Sequence, residues 1–301
     1  MKMVASSKLH HAQVAIQNML PYENMLEHIL KSFLAAEAEA QTIYDKERPV
    51  KRVALVVYSS NSSLCGGFNA NVIKQMQRAV TEYSEQIGQD NVEVYPIGRK
   101  VAEKAAKLGY NVCGDFSDLA DKPNVRQCID IATELGNKFA EGEIDKVELI
   151  YHHFKSAGSQ ILTRKTFLPI DIQEELDRDH ERDLTSIAAT KESQEYLRRN
   201  RRAKRIDADG NEVAPLNDNF IVEPDMDTVL SQLIPKLAHL MLYTALLDSN
   251  ASEHAARMVA MQTATDNADE LLRELNLQYN KSRQQAITNE LLDIVGGSVN
   301  N

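Results

Sequence analysis

The chain has 301 residues, which is enough for one or two domains, and its formal net charge of −10 argues against nucleic acid as a general partner. No run approaches the roughly 18 apolar residues of a membrane span, and the first residues lack the apolar core of a signal peptide. The three cysteines, Cys65, Cys113 and Cys128, have no metal-binding spacing, so reduced thiols in a cytosolic protein are the simplest interpretation.

Residues 1–48 predict a long N-terminal helix that carries an apolar stripe. The stripe recurs at steps of three and four residues, and the first glycine is Gly66. Pro21 is expected to kink or locally unwind this helix without ending it, because the stripe continues on both sides. The stripe consists of Met19, Tyr22, Leu26, Ile29, Phe33, Ala36, Ala40 and Ile43.

Residues 49–172 predict a globular α/β domain. Val53–Tyr58 is a continuous apolar run, which is typical of a strand buried on both faces. Strands and helices then alternate, which predicts a mainly parallel, Rossmann-like sheet covered by helices. The last two strands, Val147–Phe154 and Ile161–Ile170, are close enough to form an antiparallel hairpin at the sheet edge. The other predicted strands are 92–97 and 110–116, and the predicted helices are 72–87, 99–108 and 124–140.

Residues 173–217 form a charged insertion in which the signs are segregated. Acidic residues dominate its first part, six basic residues follow between Arg198 and Arg205, and Asp207–Asn211 predicts a turn. The basic run could bind an anionic surface, but a solvated or self-paired insertion is the favoured interpretation.

Residues 218–301 predict a second and longer helix. From Asp225 to Val295 there is no glycine and a single proline, Pro235, and a stripe from Leu230 to Leu275 follows the spacing of a coiled-coil seam. At about 1.5 Å per residue this segment would reach about 105 Å, so its stripe needs a partner helix. We therefore expect a long antiparallel two-helix coiled coil made from both termini, with the globular domain at one end. The alternative is two ordinary amphipathic helices of a bundle.

The most enzyme-like motif is Cys65-Gly66-Gly67, which follows a strand and precedes a helix. Such a turn could hold a phosphate on backbone N–H groups at the helix N-terminus. The motif is neither G-x-G-x-x-G nor a P-loop, so a turn without ligand is favoured. The sequence assigns no catalytic residue, no metal site and no cofactor.

Four segments carry a resemblance to a known family. Ser252 to Ser298 (SEHAARMVAMQTATDNADELLRELNLQYNKSRQQAITNELLDIVGGS) closely resembles the C-terminal helix of the gamma subunits of F-type ATP synthases. Met1–Leu9 (MKMVASSKL) resembles the first-helix motif of that family, Ser59–Asn69 (SSNSSLCGGFN) its strand–turn motif, and Phe220–Asp225 (FIVEPD) its return into the second helix. The resemblance covers the chain apart from roughly residues 173–217.

The resemblance implies a noncatalytic rotor. In this family the coiled coil is the shaft inside a hexamer of alpha and beta subunits, and the globular domain lies against the epsilon subunit and the membrane c-ring. Proton flow turns the ring, and the shaft changes the affinity of each beta site for nucleotide. The chain is therefore expected to be peripheral, on the cytoplasmic face of a bacterial inner membrane.

Residue by residue, the resemblance implies two groups of contact residues. Met1, Arg257, Arg283, Gln284, Thr288 and Glu290 match positions that couple to alpha and beta. Phe220 and Glu223 match foot positions near the c-ring and epsilon subunit, although the family often has Tyr at the position of Phe220. For Arg257 and Arg283, the residues alone would favour a solvated helix charge.

Three departures from the family pattern limit this transfer. The family's first helix normally begins well before its MKMVA-like motif, whereas Met1 opens inside it. Ser62-Ser63 stands where the family usually has Arg-Gly, and the charged insertion is longer than in typical members. Two other interpretations stay open: a nucleotide-binding α/β enzyme that dimerises through its terminal helices, and a coiled-coil scaffold without a rotary role. The enzyme interpretation predicts a ligand-sized pocket with perturbed titratable groups beside Gly66-Gly67.

Overall fold

The computed structural model describes residues 2–36, 44, 46, 48–171, 222–223 and 225–299, so the charged insertion predicted at 173–217 lies outside the described residues. The α-helices of the described part are α1 (Lys2–Ala36), α2 (Phe68–Ile87), α3 (Arg99–Lys107), α4 (Ser117–Asp121), α5 (Val125–Glu141) and α6 (Met226–Val299). Its strands are β1 (Val53–Tyr58), β2 (Val92–Ile97), β3 (Asn111–Val112), β4 (Lys146–Ser156) and β5 (Ser159–Leu168).

The strands form one sheet with the order β3-β2-β1-β4-β5. Strand β1 runs parallel to β2 and to β4, and β2 runs parallel to β3. Strand β5 is antiparallel to β4 and forms the sheet edge. The predicted α/β class, with a mainly parallel sheet and an antiparallel edge hairpin, is confirmed. The short helix α4 was not predicted, and β3 is shorter than the predicted strand at 110–116.

Helices cover both faces of the sheet, and β1 lies buried at its centre. Val53, Leu55 and Val57 point to one face and pack with residues of α2 and α3. Ala54 and Val56 point to the other face and pack with residues of α1, α5 and α6. Because both faces are covered, all residues of β1 are buried, which accounts for its unbroken apolar sequence.

The turn between β2 and α3 requires a glycine. Gly98 has a φ of 109°, and a Cβ at this position would lie 2.1 Å from the carbonyl oxygen of Ser59. Ser59 in turn accepts the backbone N–H of Val101 on its side-chain oxygen at 3.1 Å. This close packing fixes the start of α3 beside the end of β1.

The two terminal helices pack against each other in antiparallel orientation. Leu9 and Ile16, near the start of α1, cluster with Leu247 and Ala255 of α6. Later in α1, Leu26 and Leu30 cluster with α6 residues that begin at Leu230. Both helices continue through an internal proline, Pro21 in α1 and Pro235 in α6. Helix α6 has 74 residues, so it is about 110 Å long.

The buried seam of α1 has a different phase from the predicted stripe. Tyr22 was expected in the seam but is 48% exposed, whereas Glu23 is 5% exposed. The phase is set instead by Ala5, Leu9, Ala12 and Ile16, which step by four and three and are all buried. The same phase continues through Glu23, Leu26 and Leu30, which are buried, so Tyr22 faces solvent. Of the remaining stripe, Met19 and Ile29 are partly buried and Leu26 is buried. The side chains of Phe33 and Ala36, and residues Ala40 and Ile43, lie outside the description.

The stripe of α6 is covered over only half of its length. It is buried at Leu230 and at Ala251 but exposed at Leu272 and Leu275. The expectation that the two helices pair along the whole of 225–295 is therefore wrong for the second half, in which residues 263–292 are exposed. By composition alone, one stretch of α6 is apolar enough for a membrane span, but half of it is buried in the protein, as in a core helix.

Candidate functional site

The second half of α6 carries four of the residues that the sequence assigned to subunit coupling. Arg283, Gln284, Thr288 and Glu290 are all exposed on this helix. At about 100° per residue, Arg283 and Glu290 share one face, and Gln284 and Thr288 lie together on a neighbouring face. The Thr288 hydroxyl donates to the backbone oxygen of Gln284 at 2.8 Å. This segment presents polar groups among exposed apolar side chains such as Ile287 and Leu291.

Arg257 does not lie with these four residues. It precedes Arg283 by about 39 Å along the helix axis, and its side chain is 17% exposed. Its Nη1 donates to Glu253 Oε1 at 2.6 Å, and its Nη2 donates to Ser62 Oγ at 2.7 Å. The guanidinium is therefore bound within the chain and contacts the turn that follows β1.

The other sequence-assigned residues give less information. Met1 and Phe220 lie outside the described residues. Glu223 is exposed and precedes α6 in the chain. Its role as a foot residue stays a prediction.

The motif Cys65-Gly66-Gly67 forms the turn into α2. Gly66 has a φ of 57°, and Gly67 occupies the cap position before the first residue of the helix. The Cys65 thiol is buried and accepts a hydrogen bond from Asn69 Nδ2 at 3.1 Å. This places Cys65 in a structural contact. Among the described residues, no group of three or more His, Cys, Asp or Glu side chains could hold a metal ion.

The crevice where an α/β sheet of this kind binds ligands is here occupied by α6. Such sites lie at the carboxyl ends of the strands where the strand order reverses, which is between β1 and β4 in this sheet. At that point Ser252 Oγ of α6 donates to the backbone oxygen of His152 at 3.2 Å. The long helix thus fills the position that a dinucleotide would take.

A small cavity remains beside the glycines. It has a volume of about 270 Å³ and is lined by the turn, the tip of the β4–β5 hairpin and the Ala256–Ala260 segment of α6. Burial lowers the pKa of the lining residue His152 to about 4, so its ring is neutral at pH 7. The enzyme interpretation predicted a ligand-sized pocket with perturbed titratable groups at this place, and the structure has a cavity with one such group, His152. The volume, however, is below the roughly 300–1,000 Å³ of ligand pockets, and the described lining residues include no Lys or Arg to neutralise a triphosphate.

Sequence reasoning missed a run of buried polar residues in the middle of α6. From Asp248 to His254, six of the seven residues are polar, and every one is buried. Burial raises the pKa of the Glu253 carboxyl and lowers that of His254 to about 4, the latter with help from the nearby charges of Arg257 and Lys8. The available signal was the polar interruption of the apolar stripe on both sides of Ala251.

Comparison with known sequences gives matches over nearly the whole chain. Residues 1–299 match a family model described as ATP synthase. A protein of Phocaeicola vulgatus named ATP synthase gamma chain is 50% identical over 99% of this chain and 92% of its own length. A protein of Parabacteroides distasonis with the same name is 40% identical, over 99% of this chain and 91% of its own length.

A comparison with solved structures supports the fold. The chain resembles one from the central stalk and c-ring of the mitochondrial ATP synthase of Tetrahymena thermophila, with a TM-score of 0.56 and 22% identity. The match covers 88% of this chain and 97% of the other. At this identity the likeness establishes the arrangement of terminal helices around an α/β sheet.

Proposed function

The chain belongs to the ATP synthase gamma chain family, and we propose that it is the shaft that turns inside a hexamer of alpha and beta subunits. As a gamma chain it is a noncatalytic central-stalk subunit of an F-type ATP synthase, in which catalysis belongs to the beta subunits. Its function is to couple proton flow through a c-ring to the synthesis or hydrolysis of ATP. We also propose that the chain is divided into an N-terminal segment at 1–48 that contains α1, a globular domain at 49–172, an insertion at 173–217 and a C-terminal segment at 218–301 that contains α6.

The observation that carries the proposal is the exposed second half of α6. Its large apolar residues are 45–72% exposed, which is unusual for a chain that acts alone. A hexamer with a central channel would cover all faces of such a helix. These exposed residues are Leu271, Leu272, Leu275, Leu277, Tyr279, Ile287, Leu291, Leu292 and Ile294.

We assign the coupling contacts of this shaft to Arg283, Gln284, Thr288 and Glu290, with Met1 near the same surfaces. A turning shaft must break every contact within each revolution. Hydrogen bonds to charged groups, at about 1.5–3 kcal/mol each, are strong enough to favour one rotary state and weak enough to exchange partners. Different contacts in each state would then select the affinity of each beta site.

The opposite end of the molecule is assigned to the membrane side of the complex. Phe220 and Glu223 are proposed to contact the epsilon subunit and the c-ring. We further propose that the chain lies at the cytoplasmic face of a bacterial inner membrane, attached through its partners.

Co-purification with a tagged beta subunit tests the proposal. We expect this chain to appear with alpha and beta at a fixed ratio of one copy per hexamer. Titration of the purified chain with Mg-ATP addresses the enzyme interpretation: we expect no binding tighter than about 10 μM, which corresponds to roughly −7 kcal/mol. Tight nucleotide binding by a chain that does not assemble with alpha and beta would overturn the assignment.

A further inference from the structure

Four polar residues of α6, Asp248, Asn250, Ser252 and Arg257, form what we call the polar belt. Asp248, Asn250 and Ser252 are 2%, 9% and 0% exposed, and each of the four side chains hydrogen-bonds to a residue outside α6. They lie where α6 also packs against α1 through Leu247, Ala251 and Ala255. The belt therefore coincides with the junction between the shaft and the sheet domain.

On one side of α6 the belt contacts β4. The Asp248 carboxylate oxygen Oδ2 accepts a hydrogen bond from His153 Nδ1 at 2.7 Å. One turn later, Ser252 Oγ donates to the backbone oxygen of His152 at 3.2 Å. At about 100° per residue, Asp248 and Ser252 point within about 40° of each other. Adjacent residues of one strand thus hold one face of the helix.

On the opposite side the belt contacts α4 and the turn after β1. Asn250 Nδ2 donates to the backbone oxygen of Ala120 at 2.8 Å. Arg257 Nη2 donates to Ser62 Oγ at 2.7 Å. Asn250 and Arg257 point within about 20° of each other and roughly 180° away from Asp248. The sheet domain therefore holds α6 from two opposite faces.

Hydrogen bonds and apolar contacts resist rotation differently. Apolar packing is non-directional, and a seam of small residues such as Ala251 and Ala255 can exchange one neighbour for another with little loss. A buried polar group that leaves its partner is unsatisfied, and this penalty opposes any change of register. Bonds on opposite faces therefore oppose rotation of α6 about its own axis, in either direction, relative to the sheet domain.

We propose that the polar belt is the junction through which rotation passes between the sheet domain and α6. This inference rests on the proposed rotor function and adds to it. It makes Asp248, Asn250 and Ser252 positioning residues of the coupling reaction. It also reassigns Arg257 from a contact with the hexamer to an internal contact with Ser62, a position where the family usually has Arg.

The test uses the whole complex reconstituted in lipid vesicles. A double variant, Asn250→Ala with Ser252→Ala, removes one bond from each face of α6. Ser249→Ala is the matched control, because Ser249 is 5% exposed in the same segment but lies outside this set of bonds.

A second pair of variants tests the belt from the exposed side. Ser62→Ala removes the hydroxyl that Arg257 contacts and leaves the buried interior unchanged. Ser62→Thr keeps the hydroxyl and should restore the parental behaviour.

Two readouts are needed. Hydrogen exchange of amides in 59–67 and 117–121 reports opening of the junction, and we expect it to be about fivefold faster for each bond removed. The ratio of protons pumped to ATP hydrolysed reports coupling, and we expect it to fall several-fold in the double variant while hydrolysis continues. The Ser249→Ala and Ser62→Thr variants should change neither quantity.

The outcomes separate the inference from the proposed function. If exchange is unchanged, the bonds do not hold the junction. If exchange accelerates and the pumping ratio stays at the parental value, the junction opens without carrying rotation, and the inference is wrong although the rotor function stands. If the parental chain itself fails to assemble with alpha and beta, the proposed function fails first.

Discussion

The two halves of α6 have the same apolar spacing but different surroundings. Leu247 in the first half is 2% exposed, and Leu275 in the second half is 53% exposed. The first half is covered by α1, α5 and β4, and the second half projects away from the sheet domain. A helix of uniform pattern thus serves as a core element at one end and as a free surface at the other.

The difference shows what a periodic apolar stripe predicts. It predicts that a face will be buried, but it does not say by which chain. In the first half the partner is in the same polypeptide, and packing stabilises the fold directly. For the second half, the proposed function assigns the stabilising contacts to other subunits, so isolated and assembled chains should respond differently to the same substitution.

The largest effect is expected from truncating the stripe in each half. Leu247→Ala should lower the free energy of unfolding of the isolated chain by about 2–5 kcal/mol, because it leaves a cavity in a packed cluster. Leu275→Ala should change that free energy by less than about 0.5 kcal/mol, because its side chain already contacts solvent. Urea unfolding followed by circular dichroism measures both. Equal losses would mean that the second half is also packed within this chain.

In the assembled complex, the order of these two effects should partly reverse. Leu275→Ala should then weaken retention of the chain by the hexamer, measured by co-purification at increasing salt and temperature. Met25→Ala, at an exposed position on α1 outside the Met1–Leu9 motif, is the matched control for loss of an exposed apolar residue. An assembled complex that tolerates Leu275→Ala as well as Met25→Ala would argue against a covered second half.

A smaller effect is expected from pH, and it should arise in the first half. Burial lowers the pKa of His152 and of His254 to about 4, below the ordinary value of about 6.5. The unfolded chain therefore binds these protons more readily. The stability contributed by the neutral rings is complete above about pH 6.5 and is lost as the pH falls toward 4. The raised pKa of Glu253 acts in the opposite direction and offsets part of the loss.

Replacing one of these rings tests the sign. His254→Leu cannot take up a proton, so the decrease in melting temperature between pH 7.5 and pH 5 should be smaller than in the parental chain. A steeper dependence in His254→Leu would contradict the assignment of a buried neutral ring.

Much of the fold could be predicted because several strands and helices have the same pattern of burial along their whole length. The bounds of β1 and β2 were predicted to the residue, since each is a buried or nearly buried run between polar turns. The phase of the α1 seam was not predicted, because Tyr22 and Glu23 are adjacent and only the packing of α1 in the folded chain decides which one is buried. The candidate site was less predictable: the bond of Arg257 to Ser62 joins residues that are 195 positions apart. Nothing in the local sequence of either residue indicates that contact.

A functional effect is expected from the polar residues of the second half. Substituting both Arg283 and Gln284 with Ala should reduce ATP-driven proton pumping while leaving the free energy of unfolding within about 0.5 kcal/mol, because both side chains are exposed. Lys281→Ala, on the same helix and also exposed, is the control for loss of a positive charge. Pumping and hydrolysis at parental levels with an unchanged ratio would show that coupling depends on other residues.

The smallest effect on stability is expected at Tyr22. Tyr22 lies outside the buried seam of α1, and its ring is 48% exposed. Tyr22→Ala should therefore change the free energy of unfolding by about 0.5 kcal/mol or less. Leu26→Ala should cost about 2–5 kcal/mol, because Leu26 is 4% exposed and lies in the main cluster. The two residues are one helical turn apart, so any instability of α1 as a whole affects both variants equally. Chemical unfolding of the two variants therefore compares the packing of the two side chains alone. A larger loss of unfolding free energy for Tyr22→Ala than for Leu26→Ala would favour the seam first predicted from the sequence, in which Tyr22 is buried. The boundary between the covered and uncovered faces of the shaft would then move accordingly.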